Sequence, residues 1–387
     1  MIKPLPYAEF TWISPKEVNL ENIEENSDYG YILDVDLAYP KELHQLHNDL
    51  PFLPEVIKIN KQTKLVPHLN DRNNYIVHYV ALKQSLRHGI ILKKINRVLK
   101  FRQREFLRPF IEYNTNLRAS ASNNFEKDLY KLYNNSVFRK TMENLRNRRN
   151  IKLVCDAKKL EKLISKPTFI DRTLYGENLA AVHMAKTVIK FVKPIYIGLS
   201  VLDLAKHTMY EYHYEVMLPK YGPEKLSLAY MDTDSFIYFI RTNCIFQDML
   251  AMLDYLDTSD YPNDHLCFST KNKKKLGKFK DEACGRIITE FVGLKAKMYA
   301  IRFEDNFKEI LKAKGIQNSA LKKLIQYKDY LKCLQTKCVM RTPVNNIKSI
   351  KHDMFTVKIN KISLSPHDDK RIIDANGINT KAIGFKE

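Results

Sequence analysis

Two apolar, β-rich runs flank a short polar segment in the middle of this chain, and they constrain its fold more than any other stretch. The runs are residues 226–231 and 236–240, and between them lie Asp232 and Asp234. Such runs around a short polar break are typical of a β-hairpin with the two carboxylates at its tip. Acids beside buried strands are costly unless a cation neutralises them, and divalent metals prefer carboxylate oxygens. The tip is therefore either a metal site or an ordinary acidic turn, in which aspartate is common.

The charge balance points to a polyanionic partner. The chain has 387 residues, with 64 Lys and Arg against 44 Asp and Glu, which gives a net charge of +20. Such a surplus suits nucleic acid, although it does not by itself indicate an enzyme. The length allows two or three subdomains around a sizeable core.

Signals for export, membranes and disulfides are missing from the sequence. The six cysteines show no CxxC spacing, and the N-terminal residues have no apolar signal-peptide core. No uncharged run approaches the roughly 18 residues that a membrane span needs. We therefore expect reduced thiols, no structural zinc, no membrane partner and an intracellular location.

A second pair of acids lies on a strand near the N-terminus. Residues 30–38 are typical of a short buried strand that a proline ends, and Asp34 and Asp36 project to the same side of it. The next segment favours a helix with His44 and His47 on one face. That spacing is able to bind a metal, but without a third ligand we expect an exposed surface pair.

The clearest helix runs from Asn123 to about Arg146. Asn123 is a good N-cap, with Glu126 as its capping-box partner. The spacing defines two faces, an apolar one of Phe125, Leu129 and Leu132 and a mixed one of Lys127, Lys131, Asn135 and Phe138. The mixed face is either a phosphate-binding stripe or the exposed polar face that most helices have.

Basic segments recur along the rest of the chain. Residues 97–104 carry four cations and form either a solvated face or a ribbon that contacts phosphates. Residues 147–195 are basic and predicted to be β-rich. Residues 291–301 alternate as one strand, which would place Lys295, Lys297 and Tyr299 on the same face. Two cations and an aromatic ring on one edge suit a nucleic-acid strand.

Taken together, these elements resemble the family B DNA polymerases, specifically the protein-primed branch of the organellar and viral type. The motifs occur in family order: Asp34-Val-Asp-Leu-Ala-Tyr39-Pro40 resembles DxxSLYP, Lys131-Leu-Tyr-Asn-Asn135-Ser136-Val-Phe138-Arg139 resembles KxxxNSxYG, Tyr230-Met-Asp232-Thr233-Asp234-Ser235 matches YxDTDS, and Lys297-Met-Tyr299 matches KxY. The stretch after Asp36 looks most like the group carried by Polinton/Maverick transposons. The resemblance covers about residues 30–385.

The resemblance implies a role for each matching residue. Asp34 and Asp232 would hold two Mg²⁺ ions together with the Val35 carbonyl, with Mn²⁺ as an alternative metal, and Asp234 would support the metal site or the primer end. The other roles follow the motifs: Tyr39, Arg118, Lys131, Asn135 and Phe138 would bind the incoming nucleotide, and Ser136, Thr233, Lys297 and Tyr299 would bind the primer and the DNA.

The chain departs from the family pattern at three positions. Leu37 replaces a motif serine, Phe138 replaces a tyrosine, and Arg139 replaces a glycine. Arginine is unsuited to the glycine position if that position needs close backbone approach or a positive φ. About 33 residues precede the first motif, which leaves no room for the family's proofreading exonuclease. We therefore expect the C-terminal polymerase portion of a longer polymerase.

The resemblance implies an α+β, right-hand polymerase architecture with an antiparallel sheet in the palm, helical fingers and a small thumb, and without the exonuclease domain. The expected units are an irregular entry (1–29), palm (30–60), fingers with a preceding insertion (61–143), a terminal-protein-region-like insertion (144–193), palm again (194–300) and thumb (301–387).

The function that these expectations favour is DNA-directed DNA polymerisation for a mobile or viral element, in the nucleus of a eukaryotic host. A primer hydroxyl, on DNA or on a terminal protein, would attack the α-phosphate of a dNTP on a DNA template. A catalytically inactive, nucleic-acid-binding remnant of a transposon polymerase is the alternative from another class. A reverse transcriptase or another palm nucleotidyltransferase fits the DTDS hairpin and the Asn-Ser helix less well.

Overall fold

The computed structural model describes residues 1–25, 27–304, 309–350 and 353–387 and mixes helices with sheets that are mostly antiparallel. The strands are β1 (Leu5–Ile13), β2 (Tyr29–Ala38), β3 (Glu55–Ile59), β4 (Gln62–Val66), β5 (Arg72–His78), β6 (Ile91–Arg104), β7 (Asn150–Val154), β8 (Phe169–Gly176), β9 (Leu179–Met184), β10 (Leu226–Met231), β11 (Phe236–Ile240), β12 (Leu256–Asp257), β13 (Phe279–Lys280), β14 (Ile288–Lys295), β15 (Met298–Phe303), β16 (Ile310–Ala313), β17 (Met340–Ile350), β18 (Asp353–Leu364), β19 (Arg371–Ile373) and β20 (Thr380–Ala382).

The α-helices follow the same chain order. They are α1 (His44–His47), α2 (Tyr79–Arg87), α3 (Arg108–Ser120), α4 (Asn124–Thr141), α5 (Ala157–Ile164), α6 (Ile195–Glu211), α7 (Leu218–Tyr221), α8 (Ile245–Leu250), α9 (Asn318–Leu324) and α10 (Tyr327–Thr336). A π-helical stretch, Tyr212–Met217, joins α6 to α7. Within the described residues, none of these helices is long and apolar enough to cross a bilayer.

The first motif strand lies inside a four-stranded antiparallel sheet of order β1-β6-β2-β5. Leu33, Val35 and Val98 are fully buried in it, and α6 packs against β1 and β5. The expected buried strand over residues 30–38 is therefore confirmed, with β2 at an interior position of the sheet. The basic run 97–104 belongs to β6, which lies between β1 and β2 in this sheet.

Gly30 on β2 makes room for the side chains of β6. An added Cβ there would lie 2.5 Å from Phe101 Cε2 and would also collide with the Gln103 amide. Phe101 is fully buried, so moving its ring would disturb the packing around it. We expect Gly30→Ala to lower the free energy of unfolding by about 1–3 kcal/mol, the usual cost of overpacking.

Chemical denaturation followed by far-UV circular dichroism measures that loss. Gly176→Ala is the matched control, because no atom lies within 4 Å of an added Cβ at Gly176. Equal stabilities for the two variants would contradict the packing described for Gly30.

The helix predicted from Asn123 is confirmed as α4, but it ends at Thr141 and not near Arg146, and its apolar face is not buried. The Asn123 side chain accepts a hydrogen bond from the Glu126 amide, so the N-cap forms as expected. The expected capping box is not completed, because the Glu126 carboxylate accepts from the Ser122 amide instead of the Asn123 amide. Phe125, however, is 76% exposed, and Leu132 is also exposed. The helix instead contacts its neighbours through other side chains, since Asn134 donates to the Ile111 carbonyl of α3. Helical spacing of apolar residues therefore predicted the helix but not the side that packs.

The histidines at positions 44 and 47 are not the exposed pair that the sequence suggested. Both rings are buried, because α1 packs into the core beneath the four-stranded sheet. The Nδ1 atom of His44 accepts from the Lys386 amide, 342 residues along the chain. The prediction was wrong because the C-terminal segment returns to cover His44, while the rings of Tyr39, Phe52 and Tyr214 enclose His47.

Two further units complete the fold. Residues 150–184 form the sheet β7-β9-β8 with α5 and a small core of their own that includes Val154 and Val182, which confirms the β-rich prediction there. The sheet β14-β15-β16, α10 and the long β17–β18 hairpin share another core, centred on Tyr330. Strands β19 and β20 then return to the N-terminal half, where Ala382 donates to the Asn48 side chain.

Candidate active site

The Asp34 carboxylate is almost completely buried and carries two distinct partners. Arg97 on β6 donates to Oδ2 through Nε at 3.0 Å and Nη2 at 2.8 Å, and Asn96 donates to Oδ1 at 3.4 Å. Asn96 also donates to Asp36, whose pKa is lowered mainly by the hydrogen bond from the Asn74 amide. The two acids of the first motif are therefore joined by one amide.

The second acidic element is the predicted β-hairpin, and the structure confirms it. Strands β10 and β11 pair antiparallel, with Met231 opposite Phe236, so the tip consists of residues 232–235. The Asp232 amide donates to the Ser235 carbonyl, and Thr233 adopts a positive φ of 57°. The backbone therefore turns sharply at the DTDS segment and leaves the Asp232 side chain at the surface end of the hairpin.

Lys297 and Tyr299 reach this hairpin from another sheet. Lys297 Nζ lies 2.8 Å and 2.6 Å from the two Asp232 carboxylate oxygens. The Lys297 amide donates to the Tyr230 hydroxyl at 2.8 Å, and the rings of Tyr230 and Tyr299 lie 4.7 Å apart. Burial raises the pKa of both tyrosines. The structure therefore brings the YxDTDS segment, residues 230–235, into contact with the KxY segment, residues 297–299.

Residues 291–301 are not the single strand that the sequence suggested. They span β14, a tight turn and β15, with Lys295 opposite Met298 across the ladder. Lys297 lies in the turn with a positive φ of 61°. The alternation of apolar and polar residues continues through the two-residue turn, so the sequence resembles one long strand. The turn allows Lys297 to extend towards Asp232.

The two acidic elements rest on one apolar cluster. Leu33 and Val35 belong to its buried core, and Met231, next to Asp232, packs against it. Each acid nevertheless has its own cation, Arg97 for Asp34 and Lys297 for Asp232. Among the described residues, no group of three or more His, Cys, Asp or Glu side chains is arranged to hold a metal.

The donor chemistry at this site still suits magnesium. Mg²⁺ is usually held by one or two carboxylates together with waters and substrate phosphates, not by a complete protein cage. Asp34 and Asp232 supply hard oxygens of that kind, and their present partners are exposed side chains that are able to leave. A metal at this site would have to displace Arg97 and Lys297.

Tyr39 and Val35 are buried, as Asp34 is. The Tyr39 hydroxyl accepts a hydrogen bond from the Phe52 amide and shares a second one with Nδ1 of His47 at 2.9 Å. Burial raises the pKa of the Tyr39 hydroxyl and lowers that of His47 to about 3. The Tyr39 hydroxyl is thus engaged by the core, which fixes the position of its ring.

The helical hairpin of α3 and α4 carries the remaining predicted residues. Arg118, Lys131, Asn135 and Ser136 are exposed on it, and Phe138 is half-buried. No hydrogen bond or ion pair between described residues joins them to Asp34 or Asp232. Arg139 is exposed on α4 and has no positive φ, so arginine fits the backbone at the position where the family has glycine.

Sequence reasoning missed a group of cations at the end of α3. Lys274, from the basic loop after β12, donates to the Ala119 carbonyl at 3.4 Å. Burial lowers the pKa of Lys274, and the nearby charges of Lys127, Lys273 and Arg118 lower it further. The lysine run at 273–275 was a signal for a basic loop, but only the fold shows which helix it approaches.

Sequence reasoning also missed the partners of Asp34. Asn96 and Arg97 lie in a region that seemed only generally basic, and no spacing rule connects them to a residue more than 60 positions earlier. The signal that identifies them is strand register, because Asp34 and Arg97 are directly opposite in the β2–β6 ladder.

The comparisons with known proteins give a likeness of fold and no family. No protein-family model matches the sequence, and no curated protein matches it at a significant level. Solved structures of phi29 DNA polymerase match 93% of this chain at 15% sequence identity, with a TM-score of 0.57 for the binary complex with primer-template DNA and 0.58 for the ternary complex with incoming nucleotide. The chain spans about half the length of that polymerase, 54% and 55% in the two comparisons. The chain therefore has a mixed helix and sheet fold similar to that of a DNA polymerase.

Proposed function

We propose that this chain is the core of a DNA-directed DNA polymerase that transfers a nucleotide from a dNTP to a primer 3′-hydroxyl or a protein hydroxyl. The observation that carries the proposal is that Asp34 and Asp232, from two separate elements, rest on one apolar cluster in a fold similar to that of phi29 DNA polymerase. Structures of that polymerase contain primer-template DNA and an incoming nucleotide. The net charge of +20 suits the same partners.

Two carboxylates and a backbone carbonyl form the proposed metal site. Asp34, Asp232 and the Val35 carbonyl would hold Mg²⁺ or Mn²⁺, and Asp234 would support them. When bound, a pair of such ions stabilises the attacking and leaving oxygens of the displacement. The protein contributes by positioning: the sheet fixes Asp34, and the tight turn of the β10–β11 hairpin fixes Asp232.

The other predicted residues fit proposed roles around that centre. The exposed cations Arg118 and Lys131 would neutralise the triphosphate, which is the main requirement of phosphoryl transfer. Lys297 and Tyr299, already in contact with the DTDS hairpin, would hold the primer end. The remaining assignments are Tyr39 beneath the sugar, Asn135 and Phe138 at the nascent base pair, and Ser136 and Thr233 towards the DNA.

The proposed unit assignment follows the resemblance. The α3–α4 hairpin would be the fingers, the sheet around β2 and the β10–β11 hairpin the palm, and the β17–β18 hairpin with its supporting sheet the thumb. The β7-β9-β8 unit would be the insertion that protein-primed polymerases use with a terminal protein. A Polinton-type origin and a nuclear location remain part of this proposal.

Primer extension tests the proposal. With Mg²⁺, four dNTPs and a primed DNA template, we expect template-directed addition to the primer, and much less addition on an RNA template of the same sequence. Preference for RNA would indicate a reverse transcriptase. Tight binding of primer-template without any incorporation, with either Mg²⁺ or Mn²⁺, would instead indicate the inactive remnant.

A further inference from the structure

The strand pairing at Asp34 contains an irregularity that aims two side chains at one carboxylate. Asp34 is opposite Arg97, but the next residue, Val35, is opposite Ile95. Asn96 is therefore the extra residue of a β-bulge, a feature that re-aims side chains and is frequent beside active sites. As a result, Asn96 and Arg97 donate to different oxygens of Asp34.

The ion pair between Asp34 and Arg97 is uneven in its exposure. The Asp34 side chain is 5% exposed, whereas the Arg97 side chain is 66% exposed. A buried carboxylate without a cation is costly, so some positive charge has to accompany Asp34. The Arg97 guanidinium supplies that charge. Because most of its side chain stays in water, it loses little when it leaves the carboxylate and another cation takes its place.

Arg97 has a second partner within reach. The Arg97 guanidinium lies 6.0 Å from the centre of the Trp12 ring on β1, and that ring is itself 66% exposed. Cations and indole rings attract each other at this distance, so the ring is a resting place for the guanidinium when it leaves Asp34. Trp12 is also the only tryptophan of the chain, so its fluorescence reports on this position alone.

We propose that Arg97 is the stand-in cation of Asp34, which neutralises the carboxylate when no metal is bound and moves onto Trp12 when a divalent ion binds. This inference rests on the proposed function only for the metal site at Asp34. It makes Arg97 a positioning residue that sets the metal affinity of Asp34 by competition, since its guanidinium occupies Oδ2 with two hydrogen bonds and its positive charge repels a divalent ion at the same carboxylate.

Binding of Mn²⁺ to the chain, measured by electron paramagnetic resonance, tests the competition directly. We expect Arg97→Gln to tighten the Kd of the Asp34-dependent site about tenfold, which corresponds to ~1.4 kcal/mol. Arg97→Lys, which keeps the charge, is expected to stay within about threefold of the wild type. Asp34→Asn defines the signal from other acids, and thermal unfolding confirms that each variant folds.

Arg102→Gln is the matched control in the same strand. Arg102 pairs with the exposed Glu9 at 3.2 Å and lies over the Tyr29 ring, so it also has an acid and an aromatic partner. Removing its charge lowers the net charge of the chain as much as Arg97→Gln does. We expect its Kd for Mn²⁺ to equal that of the wild type.

The emission of Trp12 during a Mg²⁺ titration gives a second, independent measurement. In the wild type we expect a saturable change, because the guanidinium moves relative to the indole ring. Arg97→Gln and Asp34→Asn are both expected to abolish that change, the first because it removes the moving group and the second because it removes the metal ligand.

Two results would overturn the inference. One is an unchanged Kd for Mn²⁺ in Arg97→Gln. The other is a Trp12 emission that does not change during the Mg²⁺ titration although Mn²⁺ binds at Asp34. Either result, together with template-directed extension by the wild type, would leave the proposed function intact. If Arg97→Gln tightens Mn²⁺ binding and Trp12 responds to Mg²⁺ as expected, but the wild type extends no primer, the proposed function is wrong and the inference about Arg97 stands.

Discussion

Replacing Asp232 with asparagine is expected to lower Mg²⁺-dependent nucleotide incorporation by about 10³-fold, the usual loss when one preorganised charge is removed from a reacting centre. Asparagine keeps the size of the side chain but removes the charge that a metal or Lys297 binds. Asp232 is about one-third exposed, so the loss of its ion pair is expected to change the free energy of unfolding by at most about 1 kcal/mol. The effect should therefore appear in single-turnover primer extension and not in thermal unfolding.

Asp254→Asn is the control for that experiment. Asp254 forms an ion pair of similar length, 2.7 Å to Lys271, but both side chains are mostly exposed. Its removal changes the net charge of the chain by the same amount, and we expect incorporation to stay within about twofold of the wild type. If Asp232→Asn incorporates nucleotides as well as Asp254→Asn does, the catalytic assignment of the hairpin is wrong.

The second large effect is expected on the free energy of unfolding when the pH is lowered below 6.5. Burial lowers the pKa of His47, His78 and His207 to about 3, and that of His213 to about 4. In the unfolded chain these rings titrate near 6.5. Between these values the unfolded state binds more protons than the folded state, so stability is complete above pH 6.5 and falls as the pH is lowered.

The size of that loss is large for a single domain. Each buried histidine lowers the stability by up to about 1.4 kcal/mol per pH unit below 6.5. Four of them together remove on the order of 5 kcal/mol per unit, which is comparable to the whole stability of an ordinary domain. Guanidinium denaturation at pH 7.5, 6.5 and 5.5 measures this slope, and a stability that does not change over this range would show that the four rings are not buried as neutral groups.

The sequence predicted those parts of the site that depend on local spacing. The β10–β11 hairpin, the N-cap at Asn123 and the strand with Asp34 all follow from patterns within about ten residues, and the structure has them. The nearness of Lys297 to Asp232 followed only from the resemblance, because 65 residues separate them. The fold explains the contact through a turn that the alternation pattern had concealed.

What the sequence left out depends on long-range packing. The cation at Asp34 comes from strand register, and the burial of His44 comes from a segment more than 300 residues later. The spacing of apolar residues on α4 also did not predict which face of the helix packs, since Phe125 remains exposed to solvent. Such features depend on where distant elements meet, and a local pattern carries no information about that.

The return of β20 to the N-terminal half has a consequence for synthesis on the ribosome. Asn48 receives a hydrogen bond from Ala382, and His44 receives one from Lys386, across more than 330 positions. Contacts of such high sequence separation form slowly, because a long loop has to close first. The first core of the nascent chain thus stays uncovered while more than 330 further residues are made, and it is completed only when β20 and the segment after it have emerged from the ribosome.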